Sequence, residues 1–293
     1  MRILRYEFDT EILFSDPVVE HTFVLRCQPH RRPGVRVIES GLVIEPEMRY
    51  MRQVDGFGNF LAIGRKPEPH THMGYHSSGL VEVDPERGLA AGAVAAGTAG
   101  QATPGSWTSA HPIYRYPSEL TRPDDALRAF AEELAGQVDT LTRAGELGRQ
   151  SDASRCVDVL AEAAEHASHA VFEYMEYIPG STHVRTPATD AFASRAGVCQ
   201  DFSHVLICIL REWGMAARYV SGLALGEGQT HAWVEVFAED RWLGLDPTRN
   251  QLVDDTYIPL AVGRDWTDCP IEQGSFIGAA NQLQTFHMTV TEA

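Results

Sequence analysis

Positive charge is scarce in this 293-residue chain: 24 Lys and Arg stand against 40 Asp and Glu, for a formal net charge of −16. Nucleic-acid binding rests on clustered basic side chains, so no nucleic-acid partner is expected. Cysteine is also sparse. The five, at 27, 156, 199, 208 and 269, are odd in number and lack the spacing of a disulfide framework, which points to reduced thiols. Long apolar runs are missing too. Met1-Arg2-Ile3-Leu4-Arg5-Tyr6-Glu7 carries charge inside its first apolar segment, and the Ala- and Gly-rich stretch from Gly88 to Gly100 is too short and weakly apolar to span a bilayer. These absences predict a soluble, cytoplasmic chain with no membrane partner. An Asp-x-Asp-x-Asp-Gly calcium loop is absent as well, so no metal activation and no cofactor are expected.

What is present divides near residue 115. Residues 1–115 read as short strands and turns, with Phe23, Leu25 and Cys27 alternating against polar neighbours and Asp55-Gly56-Phe57-Gly58-Asn59 forming a glycine-bearing turn. From 116 to 293 helical periods appear first and alternation returns later. Thr121 with Pro123 predicts a helix start before Leu127, Phe130, Ala131 and Leu134, and a second helix runs from about Asp152 to Tyr174. Thr189-Asp190 predicts the start of a short helix ending at Gly197. Two histidine groups invite a metal: His70, His72 and His76, and His166 with His169. Neither has an evident completing ligand, so surface or packing roles are expected.

The most telling stretch is Gly197-Val198-Cys199-Gln200-Asp201, which opens an apolar run. Phe202, Val205, Leu206, Ile209 and Trp213 recur at helical spacing, which puts Cys199 at the helix start. Free backbone N–H groups and the positive end of the helix dipole favour a thiolate there. A buried cysteine acting as a small hydrophobe is the alternative.

Further on, His231 to Phe237 alternates, with His231, Trp233, Glu235 and Phe237 on one face. A hairpin through Ala238-Glu239-Asp240 that pairs Val236 with Arg241 and Val234 with Leu243 would set His231 opposite Asp246. Pro247 then ends the strand. Cys199 becomes a candidate nucleophile, His231 its proton acceptor and donor, and Asp246 the group that orients the imidazole.

Three segments, Gly197 to Asp201, His231-Ala232-Trp233-Val234-Glu235-Val236 and Asp246-Pro247-Thr248, resemble in order the signatures of bacterial transglutaminase-like cysteine peptidases. Ala217 to Gly222, Gly263-Arg264-Asp265, Gly274 and Gly278 extend the resemblance, and the N-terminal half resembles the β domain that precedes that family's core. It implies an α+β fold: a β-rich domain over 1–115, then a papain-like core over 116–293 in which the nucleophile helix packs on an antiparallel sheet. It carries Cys199, His231 and Asp246 over as the triad. Animal transglutaminases use an upstream tryptophan as oxyanion donor, and here no Trp lies between Trp107 and Cys199. The Cys199 backbone N–H and Tyr177 are the candidates instead. Trp233, Trp242 and Trp266 are candidates for an acyl-group cleft, and Asp265 and Asp268 for recognising a cationic group.

The expected reaction is hydrolysis of a peptide or protein amide through a thioester. Amine-dependent cross-linking and noncatalytic peptide binding are the rival expectations, and oligomeric state is left open.

Overall fold

Every second residue from Leu4 to Phe14 is buried while its neighbours are exposed or half-buried, the period of a strand with one covered face. In the computed structural model, which describes residues 1–84, 111–144, 155–238 and 241–293, this pattern belongs to one long strand, β1 (Arg2–Leu25). The Ala- and Gly-rich stretch, the first residues of the 152–174 helix and the tip of the His231 hairpin lie outside the described residues. β2 (Val35–Glu45), β3 (Tyr50–Val54), β4 (Phe60–Lys66) and β5 (His70–Val83) follow. β1 pairs antiparallel with β5 and then with β4, and its twist wraps Leu4, Tyr6, Phe8, Ile12 and Met73 into one core.

Among the described residues four α-helices come next: α1 (Asp125–Ala144), α2 (Arg155–Tyr174), α3 (Ala188–Ser194) and α4 (Cys199–Glu212). Two local expectations change. The α1 cap is Asp124, whose Oδ1 accepts from the Leu127 N–H at 2.9 Å, while Thr121 Oγ1 lies within hydrogen-bond distance of Ser118 Oγ at 2.6 Å and accepts from Arg211 Nη1 at 2.6 Å. α3 stops at Arg195, which takes the left-handed conformation (φ 54°), two residues before the Gly197 end expected from sequence.

Two-residue strands β6 (Glu176–Tyr177) and β7 (Ala196–Gly197) pair in parallel just before α4. Then β8 (Ala217–Ala224), β9 (Gly226–Gly228), β10 (His231–Ala238), β11 (Arg241–Asp246), β12 (Gln251–Leu252) and β13 (Tyr257–Gly263) follow. Apart from β9, they form an antiparallel sheet in the order β12-β11-β10-β8-β13. Phe202, Val205, Leu206 and Ile209 of α4 are buried in one cluster with Ala217, Tyr219, Ala232, Val234, Val236 and Leu245 of the sheet, so the helical and alternating periods meet face to face. This is the α+β arrangement expected, with the nucleophile helix on an antiparallel sheet.

The two halves share interior. Leu223, Ile258 and Leu260 of the sheet join the N-terminal core. The 55–59 turn acts as a clasp: Asn59 Nδ2 donates to the Val262 carbonyl at 2.8 Å and its Oδ1 accepts the Val262 N–H at 2.7 Å. The last two strands, β14 (Glu272–Ile277) and β15 (Gln282–Glu292), both pair with β1, and β9 pairs with β15. The chain therefore ends in the sheet where it began. No helix among the described residues is long and apolar enough to cross a membrane.

Candidate active site

The start of α4 is built by a glycine and a carboxylate. A Cβ on Gly197 would stand 2.5 Å from Asp201 Cβ, so only glycine lets that side chain fold back over the helix end. Asp201 Oδ2 then accepts the Val198 N–H at 2.8 Å and the Thr182 hydroxyl at 2.6 Å. Burial pushes the Asp201 carboxyl up, and these donors pull against it. The result is a fixed first turn whose leading N–H groups have no helical acceptor. Cys199 opens the helix half-buried, while Cys27, Cys208 and Cys269 are fully buried; all four are free thiols. Burial pushes the Cys27 thiol up to about 12 and the other two higher still.

The hairpin carrying the histidine differs from expectation by two residues. Val236 pairs with Leu243 and Ala238 with Arg241, so only two residues separate the paired strands. Extended one step beyond the Val234 and Leu245 pair, this register sets Asp246 across from Trp233, with His231 its diagonal neighbour. A slip of two preserves the face, and His231 Nε2 still reaches Asp246 Oδ2 at 2.7 Å. An ionised carboxylate only accepts, so Nε2 carries the proton. Nδ1 is then the nitrogen left over, and Cys199 is near enough to help raise the imidazole.

Asp246 is fully buried yet surrounded by donors. Beyond His231, its Oδ2 accepts the Tyr257 hydroxyl at 2.8 Å, and Oδ1 accepts the backbone N–H groups of Thr248 (3.0 Å) and Arg249 (3.1 Å). Burial alone would raise this carboxyl; the imidazole, the phenol and the backbone donors outweigh it and hold it low. Burial alone would lower His231, but the Asp246 bond and charge, with the contact to Cys199, lift it to about 9. At neutral pH the arrangement therefore favours an imidazolium against the Asp246 carboxylate.

The other sequence candidates scatter. Tyr177 is half-exposed on β6, paired with Gly197, and its phenol is raised by burial and by Cys199 while Arg249 lowers it. Trp233 is sealed in the interior at 1% exposure, over Gly222 and edge-on to Tyr257, so it supports the site from beneath and cannot line a cleft. Trp242 lies at the opposite end of the hairpin, four residues or about 13 Å along β11 from Asp246. There the Arg218 guanidinium stacks 3.8 Å from its ring centroid. Trp266 packs against the helical core, its backbone N–H bonded to His204.

Asp265 and Asp268 are internal. The first accepts from Thr267 and Leu120, and the second grips Arg264, so neither is open to a cationic substrate. His72 and His76 pair with Glu11 and Asp9, His70 stacks on His21, His166 meets Gln137 and His169 meets Asn250. Tyr257 and Arg249 were missed. Arg249 stands three residues after Asp246, within one turn, which is a local signal, but Tyr257 reaches the site only through β13 pairing with β8.

Residues 148–247 match the transglutaminase-like superfamily, and residues 4–82 match the bacterial transglutaminase-like N-terminal region. An uncharacterized protein of Mycobacterium tuberculosis is 32% identical over 290 residues, covering 90% of this chain and 84% of its own length. One from Mycobacterium leprae is 26% identical over 285 residues, covering 94% and 93%. Among solved structures, a proposed cysteine protease from Cytophaga hutchinsonii shares the fold, with a TM-score of 0.70 at 20% identity over 100% of this chain and 91% of that one. With both regions matched in order and relatives aligned along nearly its whole length, the chain belongs to the transglutaminase-like superfamily, in the form that carries the bacterial N-terminal region.

Proposed function

We propose that the protein is a cysteine-dependent amide or peptide-bond hydrolase that works through a thioester on Cys199. The observation that carries this is the 2.7 Å bond from His231 Nε2 to a buried, donor-saturated Asp246, which leaves the other ring nitrogen for the cysteine at a helix start. His231 takes the thiol proton, and the thiolate adds to the amide carbonyl carbon. The oxyanion is met by the Cys199 N–H and the Tyr177 hydroxyl. As the C–N bond breaks, His231 returns its proton to the departing amine. Water then enters, His231 removes its proton, the hydroxide adds to the thioester and the C–S bond breaks. The products are a free acid and the regenerated thiol. Asp246 holds the tautomer throughout and stabilises the cation. The substrate is a peptide or protein amide, and the reading assigns the protein to the cytoplasm, where thiols stay reduced.

The test is intact-mass trapping with a peptide-amide pool, with and without a primary amine. A mass increase on Cys199 that vanishes in Cys199→Ala, followed by release of free acid, supports hydrolysis. Incorporation of the amine in place of water makes the enzyme a cross-linker. Peptide binding that is unchanged in Cys199→Ala, with no adduct on the wild type, marks a binding module and overturns the proposal.

A further inference from the structure

Arg249 is a cation tied to Asp246 that the mechanism leaves without a task. Its backbone N–H is bonded to Asp246 Oδ1, so its position is tied to the triad. Its inner edge is engaged: Nη1 donates to the Tyr257 hydroxyl at 3.2 Å, Nε lies 3.8 Å from Asp246 Oδ2, and the guanidinium sits 5.5 Å from the Tyr257 ring centroid. Nη2 makes no hydrogen bond among the described residues, and the side chain is 44% exposed although Asp246 beneath it is wholly buried. Tyr177, half-exposed and paired with Gly197 two residues before Cys199, is influenced electrostatically by both Cys199 and Arg249. Other arginines of this sheet and its flank are engaged by carboxylates: Arg218 and Arg32 grip Glu235, and Arg264 grips Asp268. A guanidinium held by one edge and open at the other is suited to a carboxylate, which it binds through directed, charge-assisted hydrogen bonds.

We propose that Arg249 forms a carboxylate subsite beside Cys199 and selects acyl donors that carry a free carboxylate close to the scissile amide. The inference rests on the hydrolase reading for the chemistry, but not for the binding. An acidic residue or a free α-carboxylate next to the cleaved bond supplies the same group. A role confined to bracing Asp246 would act on every substrate alike.

The experiment uses a peptide-amide library in matched pairs, Glu against Gln and α-carboxylate against α-carboxamide, on the acyl side. The wild type is expected to favour the carboxylate member by roughly tenfold to a hundredfold in kcat/KM, the range of one hydrogen bond between charged groups. The preference should weaken with added salt. Arg249→Gln should collapse that ratio towards one, and Arg249→Lys should retain part of it. A ratio near one in the wild type, or equal losses on both members in Arg249→Gln, overturns the subsite. Calorimetry on Cys199→Ala reads it without turnover. Tighter binding of carboxylate peptides that is lost on adding Arg249→Gln supports the subsite even if no thioester ever forms, an outcome that overturns only the hydrolase reading. Equal binding of both members overturns the subsite.

Discussion

Replacing Tyr257 with phenylalanine removes one oxygen and leaves the ring edge-on to Trp233 at 5.3 Å. That oxygen gives Asp246 Oδ2 its second donor at 2.8 Å, and within a fully buried carboxylate the loss cannot be made good by water. A hydrogen bond to a charged group contributes about 1.5–3 kcal/mol, so Tyr257→Phe should destabilise the fold by that amount at neutral pH. The same loss raises the folded Asp246 pKa, because the donor favours the ionised form.

The sign follows from linkage. Asp246 is held below its ordinary 3.8, so its contribution is present above 3.8 and is lost as pH falls through the folded value; in the variant that loss begins at higher pH. His231 supplies the opposite edge: lifted from 6.5 to about 9, it stabilises fully below 6.5 and ceases to as pH rises through about 9. Urea unfolding of the wild type, Tyr257→Phe, Asp246→Asn and the double variant, between about pH 2 and 10, reads all of this. The cost of Tyr257→Phe should drop to about 1 kcal/mol or less once Asp246 is uncharged. A cost equally large in the Asp246→Asn background would refute the ionic reasoning and reduce Tyr257 to packing.

Two further substitutions probe what holds the site in place. Gly222→Ala would put a Cβ 2.3 Å from the Trp233 ring and 2.4 Å from the Ile258 carbonyl oxygen, directly across from His231. It should cost about 1–3 kcal/mol by urea denaturation and depress Cys199 alkylation by iodoacetamide; an unchanged unfolding midpoint would contradict the packing described. Glu235→Gln would leave the guanidiniums of Arg32 and Arg218 without their shared counter-charge where the N-terminal region meets β10 and β8. Because Arg32 remains 20% exposed, the loss should fall near the low end for a broken buried pair, about 3 kcal/mol, and replacing all three by apolar residues should recover part of it.

Some of the site was legible because its signals are local. The three- and four-residue spacing after Cys199 identified α4 and its start, and alternation from His231 to Phe237 put His231 on one face of a strand. Pairing rules then brought Asp246 to that face, although the register was off by two. Alternation has a period of two, so even slips are indistinguishable by pattern; here the two-residue loop shifted His231 from opposite Asp246 to its diagonal. The tryptophans were less readable. Trp233 lies between Ala232 and Val234 while Trp242 and Trp266 each follow a charged residue, but only packing separates a sealed support under the histidine from a stack on Arg218 at the far hairpin end.

By itself the sequence determined the helix that begins at Cys199, the strand that carries His231, the Asp55–Asn59 turn and the order of the family segments, because each depends on neighbours within one or two turns of chain. Only the tertiary structure decided the hairpin register, the burial of Trp233, the return of the C-terminal strands to β1, and the meeting of Tyr257 and Arg249 at Asp246. Strand pairing between β8 and β13 and the shared interior of the two halves set these, and such contacts depend on which surfaces fit together in space, a property that residue spacing does not carry.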